Sequence, residues 1–412
     1  MFCLLFARKF IHNIAALPDC ILERERKMSI DIFWRIPTHG EPSSHRSKTP
    51  HRGDWLPGDN SQRKAGLAGS GEDGFNYIDY VAEIAHAAEI SGFQGGLIPS
   101  FPMTDEPWVI SSVLARETDT FRFMIPFQPG FLNPVVAARM TASLQRATGG
   151  RALYNIITGG GGPAQLWWGD STGHDDRYGR TTEFLDILKG VWNGGPFSYQ
   201  GKFYQVEDAG LPNPLSEQEY PEIYFSGSSD AALASASKHA DFYLSWLEPV
   251  DKLREKFDRV KQRSELLGRK IKCAVRVDII ARPTEEEAWE EVRRGFDALP
   301  KAVLDSYLKG DGGDSVGAAR QQDNRPTTLN SYKDLIIEPN VWSGFSLLRG
   351  GQTNGIVGSY EQVAERLDQL VELGADAFIL ASTPHLEEAY RVGEEVLPLV
   401  RGKTAPLLRA VA

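Results

Sequence analysis

Polar side chains able to hold an anion recur in this chain just after short apolar runs. At Ser226, Gly227, Ser228, Ser229 and Asp230, small residues lead directly into a helical stretch. Backbone N–H groups and hydroxyls at such a helix start suit a phosphate. An ordinary serine N-cap is the competing reading. His174, Arg177 and Tyr178 open a second helical stretch that runs to Lys189, and each of the three can donate to phosphate oxygens. Two donor clusters in one chain point to a phosphorylated cofactor. The glycine run Gly159–Gly162 is weaker, lacking both the Walker lysine and the dinucleotide-binding spacing. His39, His174 and His385 show no metal-ligand spacing on one element, and no G-x-S-x-G elbow supports a serine hydrolase.

The elements that must position these groups alternate. Strand-type runs fall at Asp31–Pro37, Gly95–Ser100, Phe121–Pro129, Ala152–Thr158, Glu222–Ser226, Asp241–Trp246, Ile271–Arg282 and Ala377–Ser382. Helical periodicity follows almost every one, as in Phe75–Ser91, Pro134–Thr148, Ser229–His239, Val250–Leu267, Glu285–Leu299, Tyr360–Leu373 and His385–Val400. Strict alternation repeated eight times predicts an α/β fold, a closed (β/α)8 TIM barrel. Such a barrel gathers the C-terminal strand ends on one face. Those ends carry His39, Gln128, Asn155, Thr158, Ser228, Trp246, Arg276, Asp278, Thr383 and His385. A hairpin is expected over Phe197–Val206.

Two long insertions interrupt the alternation. Residues 41–74 follow the first strand and are rich in Ser, Gly, Pro and Arg. Residues 300–358 separate the last two strands, and their Gly/Asp/Gln/Arg-rich middle, Gly310–Pro326, reads as a mobile lid over the mouth or as a plain surface loop. Residues 1–27 read as an N-terminal extension before Met28, the barrel domain as 28–402, and 403–412 as a tail.

The 412 residues are 41% hydrophobic, ample for one barrel core, and the net charge of −10 disfavours nucleic-acid partners. No apolar run reaches the roughly 18 residues needed to cross a bilayer. The three cysteines, Cys3, Cys20 and Cys273, fit neither a disulfide framework nor a zinc site, which suits a reducing cytoplasmic setting. Cys273 is expected to be a buried small residue.

In this order the motifs resemble the bacterial luciferase-like flavin-dependent monooxygenases, most closely their alkanesulfonate monooxygenase branch. The matching pieces include Phe33, Trp34, Pro37, Thr38, His39 and Gly40; Asn133, Pro134 and Arg139; Arg151, Tyr154 and Asn155; and His174, Arg177 and Tyr178. Tyr224 to Asp230, Tyr243 to Pro249, Glu338 to Trp342, Leu348 to Gly351, and Pro384 to Glu394 continue the match. The resemblance spans residues 30–400.

It implies a two-component enzyme that binds reduced FMN (FMNH2) made by a separate NAD(P)H-dependent FMN reductase. With O2 such an enzyme cleaves an organosulfonate to sulfite and an aldehyde, as a homodimer or homotetramer. It places the FMN phosphate near Tyr178, Ser228 and Ser229, with His174 close by. Gln128, Asn155 and Thr158 would then line the isoalloxazine. Arg276 takes the sulfonate-binding role, where a guanidinium fork matches two oxygens. Trp246 walls that pocket. His39 and His385 are candidates for anchoring or proton transfer, and Arg349, Arg320, Arg325 and Lys333 for closing over the anion.

The departures cluster at the expected substrate. Thr104 stands where that branch has a cysteine, Asp278 where it has a histidine, and Thr383 where it has a tyrosine. Asp278 would suit a substrate bearing hydroxyls, such as a sulfonated sugar. Another heteroatom substrate, or hydride transfer with a deazaflavin on the same fold, are the alternatives.

Overall fold

The computed structural model describes residues 30–38, 77–102, 104–309, 314–323, 325–349 and 354–400. The extension 1–27, the whole first insertion 41–74, His39 and the tail lie outside the described residues. The first half of the chain runs β1 (Asp31–Arg35), α1 (Tyr77–Ile90), β2 (Gly95–Leu97), α2 (Pro107–Glu117), β3 (Arg122–Phe127), α3 (Pro134–Thr148) and β4 (Ala152–Ile156). Then come α4 (Gly162–Trp167), α5 (His174–Trp192), the hairpin β5 (Phe197–Gln200) and β6 (Gln205–Ala209), β7 (Ile223–Ser226) and α6 (Asp230–His239). The second half runs β8 (Phe242–Trp246), α7 (Val250–Leu266), β9 (Lys272–Arg282), α8 (Glu285–Asp297), α9 (Lys301–Lys309) and α10 (Val316–Gln322). It closes with β10 (Ile336–Glu338), β11 (Val341–Trp342), α11 (Phe345–Arg349), β12 (Gly355–Ser359), α12 (Tyr360–Leu373), β13 (Ala377–Ala381) and α13 (His385–Arg391).

Strands β1, β2, β3, β4, β7, β8, β9 and β13 pair in parallel, and the β8–β9 and β13–β1 contacts close the ring. All eight correspond to the strand runs read from sequence. All but β9 are short, and they are covered on both faces, as a parallel barrel requires. Alternate residues fill the interior: Phe33, Met124, Leu153, Tyr224, Phe242 and Ile379 belong to one inner cluster. The rings of Tyr224 and Phe242 stack there with centroids 4.3 Å apart. The opposite parity, including Trp34, Tyr154 and Phe225, packs against the helices in a larger outer cluster.

Helix boundaries follow their caps. α3 begins at Pro134 behind Asn133, whose side chain accepts from the Val135 and Val136 N–H groups, and it ends on Gly149 in the left-handed region. α8 and α12 each start with a capping box, Thr284 with Glu287 and Ser359 with Gln362.

The second insertion is more ordered than its composition predicts. β9 is eleven residues long, and only its first half lies between β8 and β13. Its second half, from Asp278 to Arg282, pairs with β12. β12 in turn pairs antiparallel with β11, and β11 with β10. A second apolar cluster, with Trp342, Phe345, Val292 and Phe296, fills the space between this annex and α8. Among the described residues, no helix is long and apolar enough to cross a membrane.

The end of α6 away from the mouth is tied down by cations. Lys189 Nζ donates to the His239 carbonyl, and Arg269 donates to those of Ser237 and Ala240. His239 is buried beside them, with Asp186 Oδ1 3.6 Å from its Nε2. Burial first, then the charges of Lys189, Lys238 and Arg269, lower its pKa to about 3 from 6.5. Between those values the unfolded chain binds a proton that the folded chain does not, so this group lowers stability as pH falls below about 6.5. We expect His239→Gln to reduce the pH slope of the unfolding free energy by about 1.4 kcal/mol per pH unit between pH 6 and 4. Urea midpoints measured across that range check this; an unchanged slope would refute it.

Candidate active site

Strand alternation carries a set of polar side chains to the barrel mouth. On β9, Ala274 belongs to the inner cluster, so Arg276 and Asp278 follow it on the inward face. Both are buried, and Arg276 Nη2 donates to Asp278 Oδ1 at 3.1 Å. The expected anion-binding guanidinium is thus oriented by the carboxylate two residues on. Trp246 ends β8 directly opposite Arg276 in register. Asn155 lies inward on β4, and its buried Oδ1 has no hydrogen-bond partner. Gln128, just past β3, carries a second such atom, Oε1. Thr158 is buried two residues beyond β4. These acceptors face a region where a ligand bearing N–H groups would satisfy them.

A second group surrounds the turn between β7 and α6, where sequence predicts a phosphate. Gly227 has φ +144°, and a Cβ there would lie 2.5 Å from Ala232 Cβ and 2.8 Å from the Tyr178 hydroxyl. Only glycine lets the β7–α6 turn come this close to Tyr178. The Tyr243 hydroxyl donates to the Gly227 carbonyl at 2.8 Å, fixing the turn from below. Ser229 caps α6, its Oγ accepting from the Ala232 N–H. The N-cap reading therefore holds for Ser229, while Ser228 stands free of that duty. His174 meets the Tyr178 ring edge-on at 5.1 Å, and its Nδ1 lies 2.7 Å from Asp175 Oδ1.

The third wall is α10. Asp314, just ahead of it, accepts from Arg177 Nη2 at 2.7 and 2.9 Å, and its N–H donates to the Gly160 carbonyl. A side chain at Gly161 would collide with the Asp314 carboxylate at 2.4 Å. The glycine run after β4 thus acts as a seat for this segment. At Gly317 a Cβ would lie 3.4 Å from the Trp246 ring and 3.5 Å from Ser228 Oγ. Arg320 donates to both oxygens of Glu248, and Gln321 Nε2 donates to the Leu247 carbonyl at 3.0 Å. Glu248 is buried and also takes Lys256 Nζ at 2.5 Å. Burial lowers the Lys256 pKa, with Glu248 opposing the shift.

Other expected residues have different surroundings. The Thr104 hydroxyl closes its own turn, accepting from the Phe101 N–H at 2.9 Å and donating to the Phe101 carbonyl at 3.0 Å. His385 is buried edge-on against Trp34, whose indole faces the helix layer. Thr383 is buried just before it, ahead of a cis Pro384. Of the expected lid cations, Arg320 reaches the mouth. Arg325 is bound to the Tyr307 carbonyl and lies 4.4 Å over its ring, and Lys333 is exposed on the short 3-10 helix Tyr332–Leu335. The Arg349 side chain lies outside the described residues. Among those residues no three His, Cys, Asp or Glu side chains gather as a metal site.

Sequence reading placed Glu248 at the end of the sixth strand without giving it a role, and it missed Arg35 and Asp314. Arg35 is buried on the same face of β1 as Phe33 and pairs in register with Leu97. A charged residue at an inward position was its signal. Asp314 had none, because its partner Arg177 is far away in sequence.

A family model described as luciferase-like monooxygenase matches residues 55–377, more than half of the chain, and the chain belongs to that family. Among solved structures, a riboflavin lyase with modified FMN and riboflavin superposes with TM-score 0.69 at 19% identity, covering 91% of this chain and 93% of that one. A long-chain alkane monooxygenase gives 0.67 at 20% identity, covering 90% of each chain. The EDTA monooxygenase of Chelativorans sp. BNC1 gives 0.65 at 18%, covering 90% and 93%. At these identities the likeness is one of fold, and the fold alone does not select a substrate.

Glu248→Gln would leave Lys256 and Arg320 beside a neutral amide, with the lysine ammonium still buried. We expect it to lower the unfolding free energy by about 3–5 kcal/mol. The double change Glu248→Leu/Lys256→Met should recover much of that loss. Urea unfolding measures both, and a Glu248→Gln loss below about 1 kcal/mol would show the network to be dispensable.

Proposed function

We propose that this member of the luciferase-like monooxygenase family uses reduced FMN and O2 to cleave the C–S bond of an organosulfonate, yielding sulfite and an aldehyde. The observation that carries the reading is Arg276, a buried guanidinium on the inward face of β9, opposite Trp246 and held by Asp278. Such a group recognises a planar pair of oxyanion oxygens far better than a neutral substrate.

The chain's own residues fit the cofactor. The Gly227 turn leaves beside Tyr178 and Ser228 the space that a Cβ would fill, suited to a phosphate. The unpartnered Gln128 and Asn155 oxygens match a ring that carries N–H groups. When bound, reduced FMN supplies two electrons to O2, so that one oxygen atom ends in the aldehyde and the other in water. Tyr178, Ser228 and the α6 N-terminus would hold the phosphate, with His174 supporting the Tyr178 ring. Arg276 would fix the sulfonate and Trp246 would wall it. α10 would exclude water from the space between them. Thr104, Thr383, Arg349, His39 and His385 belong to the same proposed site. Reduced FMN would come from a separate NAD(P)H-dependent reductase, and the chain would work as a homodimer or homotetramer.

Within this class, the Arg276–Asp278 pair favours a sulfonated sugar over a simple alkanesulfonate. A buried carboxylate beside the guanidinium offers an acceptor for a substrate hydroxyl and lowers the net positive charge.

The test is sulfite release with reduced FMN and O2 against alkyl, aryl and sugar sulfonates. Sulfite is expected from at least one, with sugar sulfonates preferred. Arg276→Ala should cut kcat/KM about 100-fold while shifting the FMN dissociation constant by less than about threefold. A protein that binds FMN tightly yet frees no sulfite from the whole panel would overturn the proposal. Binding of a reduced deazaflavin in place of FMN would favour hydride transfer instead.

A further inference from the structure

The Arg276–Asp278 pair has a charged neighbour two strands away. Above the apolar inner layer, the described barrel strands turn three charged side chains inward: Arg35 on β1, and Arg276 and Asp278 on β9. All three are buried. Strand β13 lies between β1 and β9, with Ala377 and Ile379 in the inner cluster and Ala381 next on the same face. β1 pairs Phe33 with Ile379 and Trp34 with Leu380, so one further step sets Arg35 beside Ala381. On its other side Ala381 pairs with Asp278, and Ile379 pairs with Arg276. The row above Phe33, Ile379 and Arg276 therefore reads Arg35, Ala381, Asp278. Adjacent strands lie about 4.8 Å apart, so that row spans about 10 Å of backbone. Only a methyl group stands between its two charged members, and an arginine side chain is long enough to cross it. Toward β2 the neighbour of Arg35 is Leu97, which offers no countercharge.

Arg276 and Asp278 by themselves form a neutral pair. A carboxylate held against the anion-binding guanidinium repels an incoming oxyanion and offsets most of its attraction. A second guanidinium on the same carboxylate changes that balance. We propose, resting on the sulfonate reading above, that Arg35 is a specificity-determining residue: it shares Asp278 with Arg276 across Ala381 and leaves this face with one net positive charge, which a monoanionic head group neutralises. Two cations then meet two anions. A neutral substrate would leave the excess buried charge unmatched, which is costly. Asp278 keeps its place as an acceptor for a substrate hydroxyl without cancelling the site's selectivity for an anion.

Calorimetric titration of the full chain with methanesulfonate, with and without oxidised FMN, tests the charge balance. Arg35→Met is expected to weaken binding at least about tenfold, and Asp278→Asn to tighten it about three- to tenfold. The double change Arg35→Met/Asp278→Asn again leaves one net positive charge and should bind within about threefold of the unaltered chain, as should Arg35→Lys. Binding of dimethyl sulfone, a neutral probe, should follow none of these changes. Urea midpoints on the chain without cofactor read the shared carboxylate separately: each single change should lower the midpoint, and the double change should lower it by less than the sum. Should Arg35→Met not fold, Asp278→Asn and the double change still read the order of affinities. Methanesulfonate affinity that ignores Arg35→Met, or that falls in Asp278→Asn, would overturn the proposal, as would strictly additive midpoints or no methanesulfonate binding by the unaltered chain under either condition. The expected order of affinities together with no sulfite from the whole sulfonate panel would support the anion site and reject C–S cleavage.

Discussion

In a closed ring of strands every second side chain must enter the interior, and that interior has no room for water. Charge can therefore enter only where the apolar layers stop. Here the layers run through Phe33, Met124, Leu153, Tyr224 and Phe242 and end beneath Arg276 and Asp278. The polar mouth follows from that limit. Arg276 is held by Asp278, Glu248 by two cations, and Arg177 by Asp314. Each buried charge has an oppositely charged neighbour, as the cost of a lone charge demands. Among the described residues, two neutral amide oxygens near the mouth, Gln128 Oε1 and Asn155 Oδ1, are buried without a partner, and an incoming ligand can satisfy them cheaply.

The fold was legible because barrel strands and helices leave local marks. Short apolar runs, the Asn133–Pro134 start of α3 and the glycine that ends it are all set within a few residues of chain. The placement of the candidate residues was legible in part for the same reason: Arg276, Trp246 and Asn155 occupy inward strand positions that alternation fixes. Ser229 illustrates the limit. Sequence left it as either a cap or a phosphate ligand, and the structure shows the cap bond.

What sequence could not show depends on contacts across long stretches of chain. Residues 300–358 read only as an insertion because their order comes from pairing with β9 and from packing on α8, not from local propensity. Arg320, Arg325 and Lys333 looked equivalent as cations near a mouth. Only Arg320 finds a buried carboxylate, while Arg325 is claimed by Tyr307. The Gly159–Gly162 run resembled a failed nucleotide loop. Its glycines serve close approach instead, and the carboxylate they admit comes from the far insertion.

The length of β9 has a practical cost. From Asp278 to Arg282 its backbone is bonded to β12, a strand that belongs to the inserted segment. Ile279, Ile280 and Ala281 in that stretch are all buried. Trimming the insertion back to a minimal barrel would bare an apolar strand edge, the kind of surface on which chains aggregate. The annex is therefore a structural cover for the far half of β9, and removing it calls for a replacement along that edge.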